Sequence, residues 1–127
     1  MDATQLKRIP LFADASDEEL ARVAIFAQSK EVSEGEAAVT EGGFSRELLA
    51  IEEGTAEVTR EGEHIADLGP GDVFGEAGML DDEMRSATVT ATSRLKLISL
   101  GHFEVQRLKK DAPGVYGRIE ELVEQRR

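Results

Sequence analysis

The sequence contains no cysteine and no tryptophan, and its 127 residues include only 15 basic side chains against 26 acidic ones. Without cysteine there is no thiol nucleophile, no Cys-x-x-Cys redox pair and no cysteine-ligated zinc. The net charge of −11 opposes non-specific attraction to nucleic acid or anionic lipid, because both are negatively charged. It does not exclude a small anionic ligand, which responds to the few charges nearest to it.

Long apolar runs are also missing. The two longest cover residues 23–27 and 48–51, whereas a membrane-spanning helix needs about 20 apolar residues. The N-terminus lacks the positive-then-apolar order of a secretory signal. We therefore expect a cytoplasmic protein that binds neither membrane nor nucleic acid. Because domains usually run to roughly 100–150 residues, we expect residues 1–127 to form one domain.

Helical patterns occupy both ends of the chain, in residues 1–28 and 101–127. Ser16 and Glu19 form a Ser-x-x-Glu capping box, which predicts the start of a helix. The apolar stripe of that helix consists of Leu20, Val23, Ala24 and Ala27.

Two further helices are predicted after Gly101, with Pro113 between them. The first is predicted to carry Phe103, Val105 and Leu108 on one face. The stripe of the second consists of Val115, Ile119, Leu122 and Val123. We expect this last helix to pack on its own domain, and self-association through its last three apolar residues is the alternative.

The middle of the chain, residues 29–100, has a β pattern. Short runs rich in Val, Ile, Leu and Thr are cut by glycines, and ten of the 12 glycines lie in or at the edge of this region. Such spacing predicts short strands joined by tight turns, which is typical of a sandwich or barrel. The predicted strands include residues 46–52, 55–60, 86–92 and 94–100. We therefore predict a mainly β fold with flanking helices.

One segment combines groups that suit a phosphate. The sequence reads Phe-Gly-Glu-Ala-Gly-Met at residues 74–79 and Arg-Ser-Ala-Thr-Val-Thr-Ala at residues 85–91. Small residues at Gly75, Ala77 and Gly78 let a ligand approach the backbone closely. If a helical turn begins at Ala77, its free N–H groups form an anion site. Arg85 offers a planar fork of donors to the same anion, and Ser86 adds a hydroxyl and an N–H.

Glu76 restricts the type of ligand further. A carboxylate repels phosphate, so Glu76 suits the site only if the ligand also presents hydroxyl donors, as a ribose does. The segment therefore predicts a nucleotide or sugar phosphate as the ligand.

The motif Phe-Gly-Glu-x-Gly-Met, then five residues, then Arg-Ser-Ala-x-Val-x-Ala resembles the phosphate-binding cassette of cyclic nucleotide-binding domains. This family includes the sensor domain of the catabolite activator protein and the regulatory domains of kinase A. The resemblance implies an eight-stranded jelly-roll β-barrel (a double-stranded β-helix) with N- and C-terminal helices. It places the cassette at residues 74–89 and implies a non-catalytic regulatory module whose ligand is cAMP or cGMP, with no other cofactor.

The resemblance also assigns roles to individual residues. Glu76 would accept a hydrogen bond from the ribose 2′-hydroxyl, and Arg85 would pair with the cyclic phosphate. A serine at position 86 is similar to the residue found in cAMP receptors, because threonine at this position favours cGMP. Serine can also bind guanine. The rest of the phosphate site would be Gly75, Ala77 and Gly78. The apolar wall under the base would be Val58, Ile65 and Ala66.

The end of the chain departs from the family pattern. In many members the last helix continues far enough to place a capping residue over the base, whereas this sequence ends at Arg127, about where such a residue would appear. The cap is then absent, supplied by Tyr116 or supplied by a partner chain. Ordinary helix packing is the alternative role for Tyr116.

Two other functions stay open at this point. A ligand-free interaction module could keep the shape of the cassette without binding nucleotide, and the domain could instead receive another cyclic or phosphorylated metabolite. No metal site is predicted, because His64 and His102 are far apart and neither belongs to a His-x-His pair. No catalytic motif is present, so we predict a non-enzyme. A regulatory output would then require a partner protein or self-association through the C-terminal helices.

Overall fold

Helices lie at both ends of the chain and strands lie between them. The computed structural model describes residues 2–42, 47–75 and 87–125. The helices are α1 (Ala3–Leu6), a 3₁₀ helix (Pro10–Phe12), α2 (Asp17–Phe26), α3 (His102–Asp111) and α4 (Pro113–Gln125). The strands are β1 (Gln28–Val32), β2 (Ala37–Val39), β3 (Glu47–Glu53), β4 (Ala56–Arg60), β5 (Glu63–Leu68), β6 (Val73–Phe74), β7 (Thr88–Ala91) and β8 (Leu95–Gly101).

The strands of the described residues form two antiparallel sheets of four strands each. The first sheet has the order β1-β8-β3-β6 and the second has the order β2-β7-β4-β5. The four strands predicted individually correspond to β3, β4, β7 and β8, and their ends agree to within two residues. The prediction of a mainly β fold with flanking helices is confirmed.

The core has two parts, which lie on opposite faces of the first sheet. In β3, Leu48 and Ala50 pack against the helices, whereas Leu49 and Ile51 pack against the second sheet. We call these parts the helix-side core and the inter-sheet core. The strand β8 alternates in the same way, since its side chains contribute to both. A strand that is buried on both faces has apolar residues at consecutive positions, which is why residues 48–51 form an apolar run in the sequence.

The predicted helix start at Ser16 is confirmed, but the capping box closes only in part. The Ser16 hydroxyl accepts a hydrogen bond from the Glu19 N–H at 3.1 Å. The Glu19 carboxylate accepts from the Gly114 N–H at 3.0 Å, in the first turn of α4. A carboxylate at a helix N-terminus satisfies a free donor and opposes the helix dipole. Glu19 therefore joins α2 to the C-terminal helix.

The predicted apolar face of α3 is wrong in one residue. Val105 and Leu108 are fully buried, whereas Phe103 is 77% exposed. Positions two residues apart on an α-helix point about 200° apart, so Phe103 and Val105 cannot share a face.

The C-terminal helix α4 packs on its own chain. Ile119 is fully buried in the helix-side core, and Leu122 and Tyr116 pack against it. None of the Ile119 side chain is accessible, so Ile119 packs within its own chain, and self-association through the C-terminal helices stays a prediction. The packing role of Tyr116 is the one observed.

Candidate ligand-binding site

The predicted cassette begins where β6 ends. Phe74 is buried in the inter-sheet core and pairs with Leu49 of β3. Gly75 follows with a φ of +85°, a left-handed conformation that glycine adopts without a steric penalty. The other predicted phosphate-site residues lie outside the described residues: Glu76, Ala77, Gly78, Arg85 and Ser86.

The chain rejoins the described fold at residue 87 and enters β7 in the opposite sheet. β6 pairs with β3 in the first sheet, whereas β7 lies between β2 and β4 in the second. Val89 and Ala91 of β7 are buried in the inter-sheet core. Residues 76–86 therefore link the two sheets, and both of their anchors contribute to one apolar core.

Two of the three predicted base-wall residues lie directly opposite each other. Val58 of β4 pairs with Ala66 of β5 on one side and with Val89 of β7 on the other. Val58 is half-buried against the inter-sheet core. Side chains of directly paired residues share a face of the sheet, so Val58, Ala66 and Val89 form a small apolar surface beside the start of β7.

Ile65 occupies a different position from the other two wall residues. The register of β4 and β5 shifts so that Val58 pairs with Ala66 but Thr59 pairs with His64. Ile65 is the extra residue of this β-bulge, and its side chain is 47% exposed. It therefore lies at the rim of the apolar surface, where a bulge re-aims a side chain.

Glu41 joins three segments around this surface and was not predicted. Its backbone N–H donates to the Thr88 hydroxyl at 2.9 Å, which ties the segment after β2 to the start of β7. Its carboxylate accepts from the Glu61 N–H at 3.0 Å, in the β4–β5 turn. Glu61 has a φ of +53°, so this bond holds a residue in a conformation that non-glycine residues rarely adopt.

The turn before β6 connects the cassette to the helices. The Asp72 carboxylate accepts from the Gly69 N–H at 2.7 Å, and Gly71, at a φ of +93°, lies against Pro10 of the 3₁₀ helix. A cavity of about 280 Å³ separates this turn from α4, and Arg118 is among its lining residues. Arg118 also pairs with Asp14. The turn before β6 therefore lies against the 3₁₀ helix and faces α4 across this cavity.

Charged contacts occur both beside the apolar surface, where His64 lies 3.8 Å from Glu57 and 3.6 Å from Asp67, and away from it. The Arg94 guanidinium, at 2.6 Å, donates to Glu31 and holds the pKa of that carboxyl below its usual value. Burial, together with nearby Glu120, raises the pKa of Tyr116. Tyr116 packs on the helix-side core, so in this arrangement it does not cover the surface at Val58.

Within residues 2–42, 47–75 and 87–125, no three histidine or carboxylate side chains group as a metal site requires. None of the described helices has the length and apolar character needed to cross a membrane.

Comparison with known proteins decides the family. The family model of the cyclic nucleotide-binding domain matches residues 29–111, which include both sheets, except Gln28, and the whole of residues 74–89. The chain belongs to the cyclic nucleotide-binding domain family. The resemblance found in the cassette motif is thereby confirmed at the level of the family.

Relatives of this cyclic nucleotide-binding domain are found among regulatory proteins. It is 41% identical over 105 residues to the cAMP-dependent protein kinase regulatory subunit of Yarrowia lipolytica, covering 81% of this chain and 28% of that protein. It superposes on the Thermus thermophilus catabolite activator protein with a TM-score of 0.83 at 27% identity, covering 92% of this chain and 57% of the other. The chain thus spans only part of both relatives.

A third similarity concerns the fold alone. A crystal structure of a Geobacter metallireducens protein superposes with a TM-score of 0.84 at 17% identity, covering 98% of this chain and 94% of that one. The two proteins therefore share the arrangement of helices and sheets over most of both chains.

Proposed function

We propose that this domain is a non-catalytic regulatory module that binds cAMP between the cassette and the paired strands β4 and β5. The observation that carries the proposal is the cassette motif, which lies within the family match. Its downstream anchor, Val89 of β7, pairs directly with Val58 and belongs to the described apolar surface. A phosphate held by the cassette would place an attached base against Val58 and Ala66.

Each cassette residue has a proposed role that follows from its chemistry. Arg85 pairs with the cyclic phosphate through its planar donors, and Glu76 accepts from the ribose hydroxyl. Gly75, Ala77 and Gly78 are small, so their side chains leave room for the phosphate to approach the backbone closely. Ser86 is proposed to favour cAMP. No other cofactor is required.

The base is proposed to rest on Val58 and Ala66, with Ile65 covering its edge. Support comes from the direct pairing of the first two residues and from the half-exposed position of the third. Tyr116 is not proposed as the cap, because it packs against the helix-side core.

We further propose that residues 1–127 form one domain and that the two sheets are the halves of an eight-stranded jelly roll. The strand orders β1-β8-β3-β6 and β2-β7-β4-β5 support this, since they alternate between the sheets as two Greek keys do. We propose a cytoplasmic location and an output that passes through a partner protein.

Calorimetric titration of nucleotide-free protein with cAMP, cGMP and AMP tests the proposal. Arg85→Ala should weaken cAMP binding by about 2–5 kcal/mol, because it removes a charged partner of the phosphate, which is roughly thirty-fold or more in Kd. Arg94→Ala is the matched control, since Arg94 is an exposed arginine bonded to Glu31 on the first sheet. It should leave the affinity unchanged.

The outcomes also separate the competing functions. Absence of heat with cAMP and cGMP from a folded sample would contradict the proposal and favour a ligand-free interaction module. If AMP binds as well as cAMP and Glu76→Ala has no effect, the domain receives a different phosphorylated metabolite. If Arg85→Ala and Arg94→Ala lose the same amount of cAMP affinity, the cassette is not the binding site.

A further inference from the structure

An exposed groove lies between α2 and α3, far along the chain from the cassette. It has a volume of about 560 Å³ and is lined by Arg22, Ile25, Phe26, Arg107, Lys110 and Asp111. Its lining includes the Phe26 ring, and the Arg107 guanidinium lies over this ring at 4.9 Å from the ring centroid. We call this the α2–α3 groove.

Large apolar side chains are exposed at this groove. Among the described residues, only Ile25, Ile65 and Phe103 are large hydrophobic residues with exposed side chains, at 75%, 47% and 77%. Ile25 lines the groove, and Phe103 lies four residues before Arg107, on the same face of α3. Two of the three, Ile25 and Phe103, therefore lie along one surface. Single exposed apolar residues are normal on a protein surface, but grouped ones indicate an interaction site.

The charge of the groove is opposite to that of the whole chain. Three cations and one carboxylate line it, although the chain carries a net charge of −11. Arg22 is held in place by the Asp111 carbonyl at 2.8 Å and by Glu18 at 3.0 Å. Arg107 and Lys110 form no ion pair with any of the residues that the structure describes, so their charges are available to a partner.

We propose that the α2–α3 groove docks an acidic amphipathic helix of a partner protein. Carboxylates on one side of that helix would meet Arg107 and Lys110, and a large apolar side chain would fill the space between Ile25 and Phe103. Helix-in-groove recognition uses apolar anchors of this kind, and opposite charges at the rim orient the partner. This proposal is independent of the nucleotide site.

Charge also argues against other occupants. A second copy of the chain also has a net charge of −11, so the two copies repel each other. An anionic membrane is an extended negative surface, and it would repel the many acidic residues of this chain. A short acidic helix mainly senses charges within the screening length of about 8–10 Å, where the groove is cationic.

Fluorescence anisotropy with the intact chain tests the proposal. The probe is a labelled acidic peptide of about 16 residues, long enough for a helix, built from Glu, Ala and Leu with leucines at helical spacing. A peptide with lysine in place of every glutamate is the control. We expect saturable binding of the acidic peptide only, weaker by about tenfold or more when salt is raised from about 0.05 to 0.5 M.

Matched variants locate the binding. The double variant Arg107→Glu with Lys110→Glu should weaken binding of the acidic peptide by about tenfold or more. Phe103→Ser should also weaken peptide binding, while leaving unfolding by urea unchanged. Lys96→Glu with Lys109→Glu makes the same charge change at exposed lysines that do not line the groove, and should retain binding.

Four results would overturn the proposal. They are no binding of the acidic peptide, equal binding of both peptides, equal loss in the two charge variants, or preferential binding of phosphatidylserine vesicles over the peptide. Light scattering adds a fifth, since a concentration-dependent dimer that Phe103→Ser abolishes would make a second copy the occupant.

Discussion

Replacing Gly54 with alanine perturbs the junction that supports the downstream anchor of the cassette. Gly54 has a φ of +97°, and a Cβ there would lie 2.2 Å from the Arg94 carbonyl oxygen and 3.2 Å from the Leu95 Cα. Both are backbone atoms, so no side-chain rotation relieves the contact. The next residue, Thr55, donates its N–H to the Ser93 hydroxyl at 2.9 Å, which fixes the turn after β7.

The expected loss follows from two costs and one gain. Holding alanine in the left-handed region costs about 1–2 kcal/mol. Displacing a packed backbone to admit the extra carbon costs about 1–3 kcal/mol. Alanine also restricts the unfolded chain, which returns about 0.4–1 kcal/mol. The free energy of unfolding should therefore fall by about 1–4.5 kcal/mol, a large share of the 5–15 kcal/mol typical of a domain.

Gly62→Ala is the matched control. Gly62 has a φ of +82°, but a Cβ there meets nothing within 4 Å, so only the conformational terms apply and the loss should be about 1 kcal/mol or less. Urea unfolding followed by circular dichroism measures both variants. If the two losses agree to within about 0.5 kcal/mol, close packing of Gly54 on the β7–β8 turn is refuted.

Three further predictions concern other parts of the molecule. Gly75→Ala should strain the start of the cassette by about 1–2 kcal/mol and weaken cAMP in calorimetry by about tenfold; unchanged affinity would contradict a rigid left-handed anchor. Leu108→Ala should cost about 2–5 kcal/mol in urea unfolding, whereas exposed Phe103→Ala should cost less than about 0.5 kcal/mol; the reverse order would contradict the α3 packing. Arg94 holds the pKa of Glu31 below its ordinary 4.5, so this pair stabilises the fold above that pH and the contribution disappears as pH falls through the lowered pKa. Wild type should therefore lose more stability than Glu31→Gln between about pH 5 and 3, and equal pH profiles would contradict the pairing.

The sequence predicts strands well where burial leaves a pattern. Residues 48–51 belong to a strand buried on both faces, and an apolar run marks it. β1 lies at the edge of its sheet, and four of its five residues, in Gln28–Val32, are exposed. An exposed edge strand has no apolar alternation, so its pairing with β8 becomes visible only in the structure.

The helices illustrate a limit of composition alone. Phe103 was placed on the buried face of α3 because it is apolar, although its angular position opposes that of Val105. Glu19 is predicted to bond back to its own helix start, and its carboxylate accepts from the Ser16 hydroxyl at 3.5 Å. It also bonds across to Gly114, a contact that depends on how α2 and α4 pack and leaves no local signal.

Some parts of the candidate site are also predictable from the sequence, and others depend on how the strands pair. The motif predicts the cassette, and a loose resemblance placed Val58 and Ala66, which are directly paired. The bulge at Ile65 is a register shift between strands, which a sequence does not display. Glu41 was missed because its two bonds reach Thr88 and Glu61, distant positions that come together only through the sheet topology.

Methyl and amide NMR of the nucleotide-free chain, titrated with cAMP, tests where the nucleotide binds. We predict saturable shifts at the Gly75 amide and at the methyl groups of Val58, Ala66 and Val89, because the phosphate binds at the cassette and the base stacks on the paired strands. Lys110, in the α2–α3 groove, should not shift. Absence of shifts at these four residues, or shifts confined to the groove, would contradict cyclic nucleotide binding at the cassette.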